Sequence, residues 1–158
     1  MPNKQNKPQP QQSSIPTSDF LRRLIKTSDL EGFIQRHEGE MEPPEFHVFL
    51  NDLCAASGQV PEHVISRAGI ERTYGHQLFN GTRNPSRDKV IQLAFGLELD
   101  VDATQKLLQI AQFSPLYPKL KRDAAILYCL EHHLDILELQ SLLQTLGLTL
   151  LGKRKKKK

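Results

Sequence analysis

Tryptophan is absent from this 158-residue chain, and only seven Phe and three Tyr are present. Packing must therefore rest on Leu, Ile and Val. Cysteine is scarce. Cys54 and Cys129 sit in apolar-patterned runs, build no disulfide framework, and form no metal-ligand spacing with the six histidines. They read as reduced core thiols. No apolar run approaches the ~18 residues that a membrane span requires, so a membrane partner is not expected. The opening "MPNKQNKPQPQQSSIP" has Lys but no apolar segment after it, unlike a secretory signal. Both absences favour the cytoplasm. The chain also lacks a phosphate-cradling glycine loop and a nucleophile elbow. His132 and His133 are adjacent, so on a helix they point about 100° apart and share no metal. No catalytic residue, metal site or cofactor is expected, and the chain does not read as an enzyme.

Charge is unevenly placed. The net +3 conceals a basic run, "KRKKKK", over residues 153–158. Between residues 20 and 150 there are 13 Lys/Arg against 17 Asp/Glu. Asp29 to Glu45 is acidic. Pro61 to Val90 is locally basic, with Arg67, Arg72, Arg83, Arg87 and Lys89. A polyanion would meet a small basic face and a basic tail on an acidic body.

Hydrophobic spacing is helical throughout, with no sustained period-two alternation, so the expected class is all-α. Residues 1–16 have almost nothing to bury and read as a disordered tail. Residues 17–44 read as a helical preface and linker. Its faces are Leu21, Leu24 and Ile25, then Leu30, Phe33 and Ile34, and "SDLE" from Ser28 resembles a capping box. Tandem prolines in "GEMEPPE" end it. Phe46, Phe49, Leu50 and Leu53 open a buried helix face that Gly58 stops. Pro61 suits the first turn of the next helix, which ends at Gly69. A third runs from about Glu71 to Asn80. Pro85 and Ser86 start a fourth, and Asp100 caps a fifth. After "FSPLYPKL" come two more helices, roughly Lys121 to His132 and Asp135 to Leu146. These form an expected C-terminal hairpin over 114–150, followed by a basic tail over 151–158.

A shift of 35 residues lays "RDKVIQLAFGLELDVDATQKLLQ" on "RDAAILYCLEHHLDILELQSLLQ". Arg87/Arg122, Asp88/Asp123, Asp100/Asp135, Gln105/Gln140 and Leu108/Leu143 are among the matches. Two readings fit: a duplicated helical hairpin, or a common capped-helix pattern met twice. Two copies are too few for a solenoid.

"SRAGIERTYGHQLFNGTRNPS" holds a short helix, a glycine turn and a second short helix. With Gly69, Leu78, Gly81, Arg83, Pro85 and Ser86 at these spacings, it resembles the lambda repressor/Cro-like, xenobiotic-response-element type of helix-turn-helix DNA-binding domain. The resemblance covers about Phe46 to Ala111. It implies a five-helix repressor-like domain over 45–113 that binds double-stranded DNA and regulates transcription, probing the nucleoid from the cytoplasm. Two positions depart from the family. Ile65 stands where a small residue is usual, and Gly75 where a β-branched one is. The pair commonly faces across the motif, so the volumes have exchanged sides. Val60 and Pro61 replace a usual Ser cap and phosphate-binding Gln.

The resemblance implies that the second helix of the motif enters the major groove. Arg72, Thr73, His76 and Gln77 would then face base edges. Arg suits guanine, Gln suits adenine, and the Thr methyl suits a thymine methyl. Asn80, Thr82, Arg83, Asn84, Arg87 and Lys89 would meet phosphates and set register. Ile136, Leu139, Leu143 and Leu146 form an apolar stripe expected to join two copies into a homodimer. The other class that fits is a protein-interaction module, an adaptor or antitoxin-like partner that keeps the fold without reading DNA.

Overall fold

The computed structural model describes residues 16–42 and 44–152. Of the tails expected over 1–16 and 151–158, residues 1–15 and the basic run 153–158 lie outside them, whereas Leu151 is not tail but buried. All regular structure among the described residues is helical, with no strand. No described helix is long and apolar enough to cross a membrane. The chain divides into two compact units at the Pro43–Pro44 step.

The first unit holds α1 (Thr17–Lys26), α2 (Leu30–Arg36) and a 3-10 turn at Glu38–Glu40. Its packing centre is the expected Phe33, met by Phe20 and His37 rather than by the aliphatic residues of the two faces. Phe20 meets Phe33 edge-on at 5.3 Å, and His37 lies 4.2 Å from the Phe33 ring. Phe33 is buried, whereas Leu21, Ile25, Leu30 and Ile34 stay exposed. The α2 cap is Asp29, which accepts from the Gly32 N–H, and not Ser28. Asp29 sits one residue nearer the helix, where a carboxylate reaches the orphan amides and also favours the positive helix end.

The second unit contains α3 (Phe46–Ala56), α4 (Pro61–Ala68), α5 (Arg72–Asn80), α6 (Arg87–Gly96), α7 (Val101–Ile110), α8 (Lys121–Glu131) and α9 (Ile136–Thr145). Local chemistry sets the boundaries. Pro61 occupies the first turn of α4, and Gly69 ends it in the left-handed region at φ 71°. Ser86 and Asp100 cap α6 and α7. Asp135 and Glu138 close a full capping box on α9. Helix α6 is buried on every side from Val90 to Gly96. One flank packs with Leu50, Val64, Ile65 and Leu78 of α3–α5. The other packs with Leu107, Leu108, Ile126 and Leu139 of α7–α9. Residues 114–150 are therefore no separate domain, because they share one core with α6 and α7. At Gly96 a methyl group would collide with the Val64 carbonyl and Ala68, so a glycine is what lets α4 lie on α6.

The 35-residue repeat is a structural duplication. Helices α7 and α9 begin and end at equivalent positions. The turns repeat too: Glu98 and His133 share positive φ (60° and 56°), as do Gln112 and Gly147 (67° and 74°). Gln105 clamps both backbone groups of Leu116 at 2.8–3.0 Å, and Gln140 does the same to Leu151 at 2.8–3.1 Å. The two copies embrace reciprocally. Arg87 pairs with Asp123 at 3.1 Å, and Arg122 pairs with Asp88 at 3.0 Å. Each Arg also donates to two carbonyls of its own copy, Ser114 and Pro115 or Thr149 and Leu150. Each Asp also accepts one backbone N–H, from Tyr117 or Gly152. Contacts that exchange under the shift define an internal pseudo-two-fold. A generic capped-helix pattern accounts for the Asp caps but not for this mutual clasp.

The clasp also corrects the expected dimer stripe. Ile136, Leu139 and Leu143 are buried inside this chain's core, and only Leu146 is exposed. The three pack within the core with α8 and α6 rather than against a second chain.

Asp88 makes the clasp sensitive to acid. Burial by itself raises its pKa, but the Arg122 hydrogen bond, the Gly152 N–H and the charges of Arg122 and Arg87 outweigh burial and hold it below the usual aspartate value. A carboxyl lowered on folding contributes stability that is complete above its unfolded pKa and is lost as pH falls through the folded one. Urea unfolding followed from pH 7 into strong acid is expected to show a larger acid loss in wild type than in Asp88→Asn. Parallel curves would remove Asp88 from the acid response.

Candidate nucleic-acid interface

Helix α5 begins at an acidic cap. The Glu71 carboxylate accepts from the Tyr74 and Thr73 N–H groups at 2.9 and 3.0 Å, and these bonds lower its pKa. It thereby occupies the helix N-terminus, where a phosphate would otherwise be favoured. Arg72 and Thr73 follow on the exposed first turn, with the Arg72 side chain 75% accessible.

The α4–α5 corner is held by α6 and α9. Gln92 of α6 is buried and donates to the Ala68 carbonyl at 3.1 Å, with a longer reach to Gly69. Arg67 donates to the Gly96 carbonyl at 2.9 Å. Ile136 of the second copy packs beneath Gly69. Inside the corner, a methyl group built on Gly75 would stand 2.5–2.9 Å from three Ile65 side-chain atoms. The large Ile65 thus fills the room that Gly75 leaves, and the exchanged volumes fit each other.

The expected base-edge residues share one face but are not idle. Glu62, projecting from the first turn of α4, accepts from Arg72 Nε at 2.9 Å and lies 2.8 Å from His76 Nε2. The His76 bond is the largest influence on the Glu62 pKa, and with the charge and hydrogen bond of Arg72 it lowers that pKa against an opposing desolvation. Gln77 Oε1 accepts from Arg83 Nε at 3.0 Å. A glutamine needs both its oxygen and its amide for a bidentate adenine pair. Arg83 must release Gln77 for that pairing, or join it at the base edge.

Among the expected phosphate contacts, Thr82, Arg83 and Asn84 lie exposed on the α5–α6 turn. Asn80 turns its side-chain oxygen back to the Thr82 N–H at 2.8 Å, shaping that turn. Lys89 is half-buried near α6's start. Arg83 and Lys89 both stand over the Tyr74 ring, at 4.7 and 5.4 Å. The ring's negative face draws two cations to one flank of α5. Arg87 does not belong to the set. Its guanidinium is committed to Asp123 and to the Ser114 and Pro115 carbonyls. An arginine at a helix start looks the same in sequence whether it faces solvent or a buried carboxylate.

Two participants escaped the sequence reading, Glu62 as partner of Arg72 and His76, and Tyr74 as a platform for Arg83 and Lys89. Both depend on how α4, α5 and α6 cross, which residue spacing along a single helix does not report. No group of metal-binding side chains occurs among the described residues. A groove of about 710 Å³ adjoins the corner, lined by Ser66, Arg67 and Gly69 together with the turns after α6 and α8. It is lined by the equivalent pairs Phe95/Leu130 and Leu99/Leu134, with Leu137 at its edge. No protein-family model, curated protein or solved structure matches this chain.

Proposed function

We propose that this chain is a sequence-specific, double-stranded DNA-binding regulator in which α4 and α5 act as a helix-turn-helix of the lambda repressor/Cro-like type. The observation that carries the reading is the pinned corner. Gln92 and the Gly96 carbonyl of α6 and Ile136 of α9 restrain the turn, while Arg72 and Thr73 stand exposed beyond it. A rigid support for exposed hydrogen-bonding side chains is what base discrimination requires. Arg72 and Gln77 are the principal base readers, Thr73 and His76 adjoin them, and Arg83, Lys89, Thr82 and Asn84 flank them as backbone contacts. Arg83 and Lys89 lie on the same side of α5, over Tyr74.

Selection of bound duplexes from a random pool tests this. An enriched site is expected, and Arg72→Ala should weaken binding to it by about 1–3 kcal/mol while leaving random duplex almost unaffected. Gln77→Ala should relax choice at a neighbouring base pair. No enrichment, together with unchanged binding in both variants, would reject the reading. The same experiment reports stoichiometry. One block of enriched bases means a single chain per site, and two blocks about 34–36 Å apart mean a pair of chains.

The groove at the α6 and α8 turns favours a second reading, a module that binds another protein. Leu137 is 75% exposed at its edge, beside a floor of Phe95, Leu99 and Leu130. A partner lost on Leu137→Glu but retained on Arg72→Ala would establish that reading instead.

A further inference from the structure

We infer that the groove beside the α4–α5 corner is the site of a small apolar cation, an amine on an aromatic or branched apolar body, whose occupancy tightens DNA binding. The site stands on the groove's own chemistry. Only its effect on DNA rests on the DNA-binding reading above.

Size and lining suit a small molecule. The groove holds about 710 Å³, within the roughly 300–1,000 Å³ of ligand pockets. Its apolar lining comes from both copies of the repeat, Phe95 with Leu130 and Leu99 with Leu134, joined by Ile136. The duplication explains why such a space exists. Helices α6 and α8 end in turns of one shape, with Glu98 at φ 60° and His133 at φ 56°, and both turns line the groove.

Charge selects the ligand. Glu98 and Asp135 border the groove, and neither has an ion-pair partner among the described residues. Asp135 spends Oδ1 on the Glu138 N–H at 2.8 Å and keeps its charge. Arg67 also lines the groove, but its guanidinium is drawn to the Gly96 carbonyl and the Gln59 side-chain oxygen. Helices α4, α6 and α8 all end at the groove. Helix C-termini carry partial negative charge and favour cations. Helix α9 begins there, yet its capping box covers the positive end. An apolar lining beside two carboxylates without counter-ions and three helix C-termini accepts an ammonium and disfavours a carboxylate.

The groove also reaches the corner. Ser66 and Gly69 are part of its lining, and Ile136 Cγ2 would lie 3.6 Å from a methyl group on Gly69. A ligand between these walls touches α4 and α9 together and holds the pinned arrangement. A ligand that prefers the pinned corner shifts the protein toward it, and DNA must tighten that ligand by the same factor.

The test uses full-length 15N-labelled protein near neutral pH and three probes of similar shape: 2-phenylethylammonium, 2-phenylethanol and 3-phenylpropionate. The ammonium is expected to move the amide resonances of Gly69, Glu98 and Leu134 with a Kd of about 1 mM, ordinary for so small a ligand. The alcohol should bind about tenfold more weakly, and the propionate more weakly still, because the charge contact is lost or reversed. Glu98→Gln should bring the ammonium close to the alcohol with an unchanged thermal midpoint, since Glu98 is exposed. Ser66→Phe should block both probes by filling the groove from α4. At matched ionic strength, saturating ammonium should tighten binding to the selected duplex about fivefold or more in wild type, and not in Ser66→Phe. Propionate binding as tightly as the ammonium would overturn the site. So would no movement of these resonances with any probe, which would leave the groove to the protein-binding reading. Unchanged duplex affinity with the groove filled would overturn the regulatory effect. Failure of wild type to bind any duplex would overturn the DNA-binding reading but not the groove's ligand, which the resonances report by themselves.

Discussion

Asp123→Asn is expected to destabilise the protein by about 3 kcal/mol, the lower end of what removing one partner from a buried ion pair costs. Asp123 is nearly inaccessible, at 4%, and it accepts from Arg87 twice and from the Tyr117 N–H once. An amide in its place keeps one accepting oxygen but turns a donor toward Arg87 and leaves the guanidinium without a counter-charge. Arg87 keeps 24% of its side-chain surface, so water recovers part of the loss. The pseudo-equivalent Asp88→Asn is expected to cost less, about 1–2 kcal/mol, because Asp88 is 23% accessible. Urea unfolding at pH 7 measures both. Equal, small losses would mean that the clasp records an ancestry without holding the fold. A double variant whose loss falls short of the sum would show that the two halves of the clasp support each other.

The second large effect lies at the corner. Ile65→Ala alone should cost about 2–5 kcal/mol, the range for emptying a core site. Gly75→Val alone should cost about 1–3 kcal/mol, since even its first carbon would stand 2.5 Å from Ile65 Cγ2. Together they recreate a small residue on α4 facing a β-branched one on α5. The double variant is expected to lie about 1–3 kcal/mol above the sum of the singles. Additive losses would show that the two positions do not share one space. The same variants bear on DNA binding, because this contact sets how far α5 stands from α4. On the proposed reading, the single variants weaken binding to the selected duplex at a concentration of folded protein matched to wild type, and the double variant regains it.

The helices of the second unit were legible because their signals are local. Pro61, Gly69, Ser86, Asp100 and Asp135 act on neighbouring backbone within a turn, so spacing along the chain reveals them. The preface was less legible. Its spacing pointed to Leu21, Leu24 and Ile25 and to Leu30, Phe33 and Ile34, of which only Phe33 is buried, in an aromatic trio with Phe20 and His37. Helical periodicity marks a face without saying which of two neighbouring faces packs. Most of the duplication was visible as well, residues 87–109 against 122–144. Its last residues, 110–117 against 145–152, were not. There the repeat is built on backbone groups of Leu116 and Leu151, Pro115 and Leu150, Tyr117 and Gly152. Backbone hydrogen bonds place little demand on side-chain identity, so the repeat persists where the letters have diverged.

At the candidate site the sequence placed the right residue types on α5 but not their partners. Arg72 and Arg87 carry the same charge and each begins a helix. One stands in solvent beside Glu62, and the other is closed over Asp123. The residues ten and thirty-six positions away decide this, and only the crossing of helices brings them near.

By itself the sequence determined that the chain is helical, where most of its helices start and stop, and that one segment repeats after 35 residues. Those properties follow from backbone capping and apolar period, which act over one or two turns. The tertiary structure alone decided that the repeat closes on itself, that Ile136, Leu139 and Leu143 fill the core, and that Arg87 is structural. The physical reason is that burial and charge pairing depend on which surfaces meet, and two surfaces of equal apolarity are indistinguishable until the chain has brought them together.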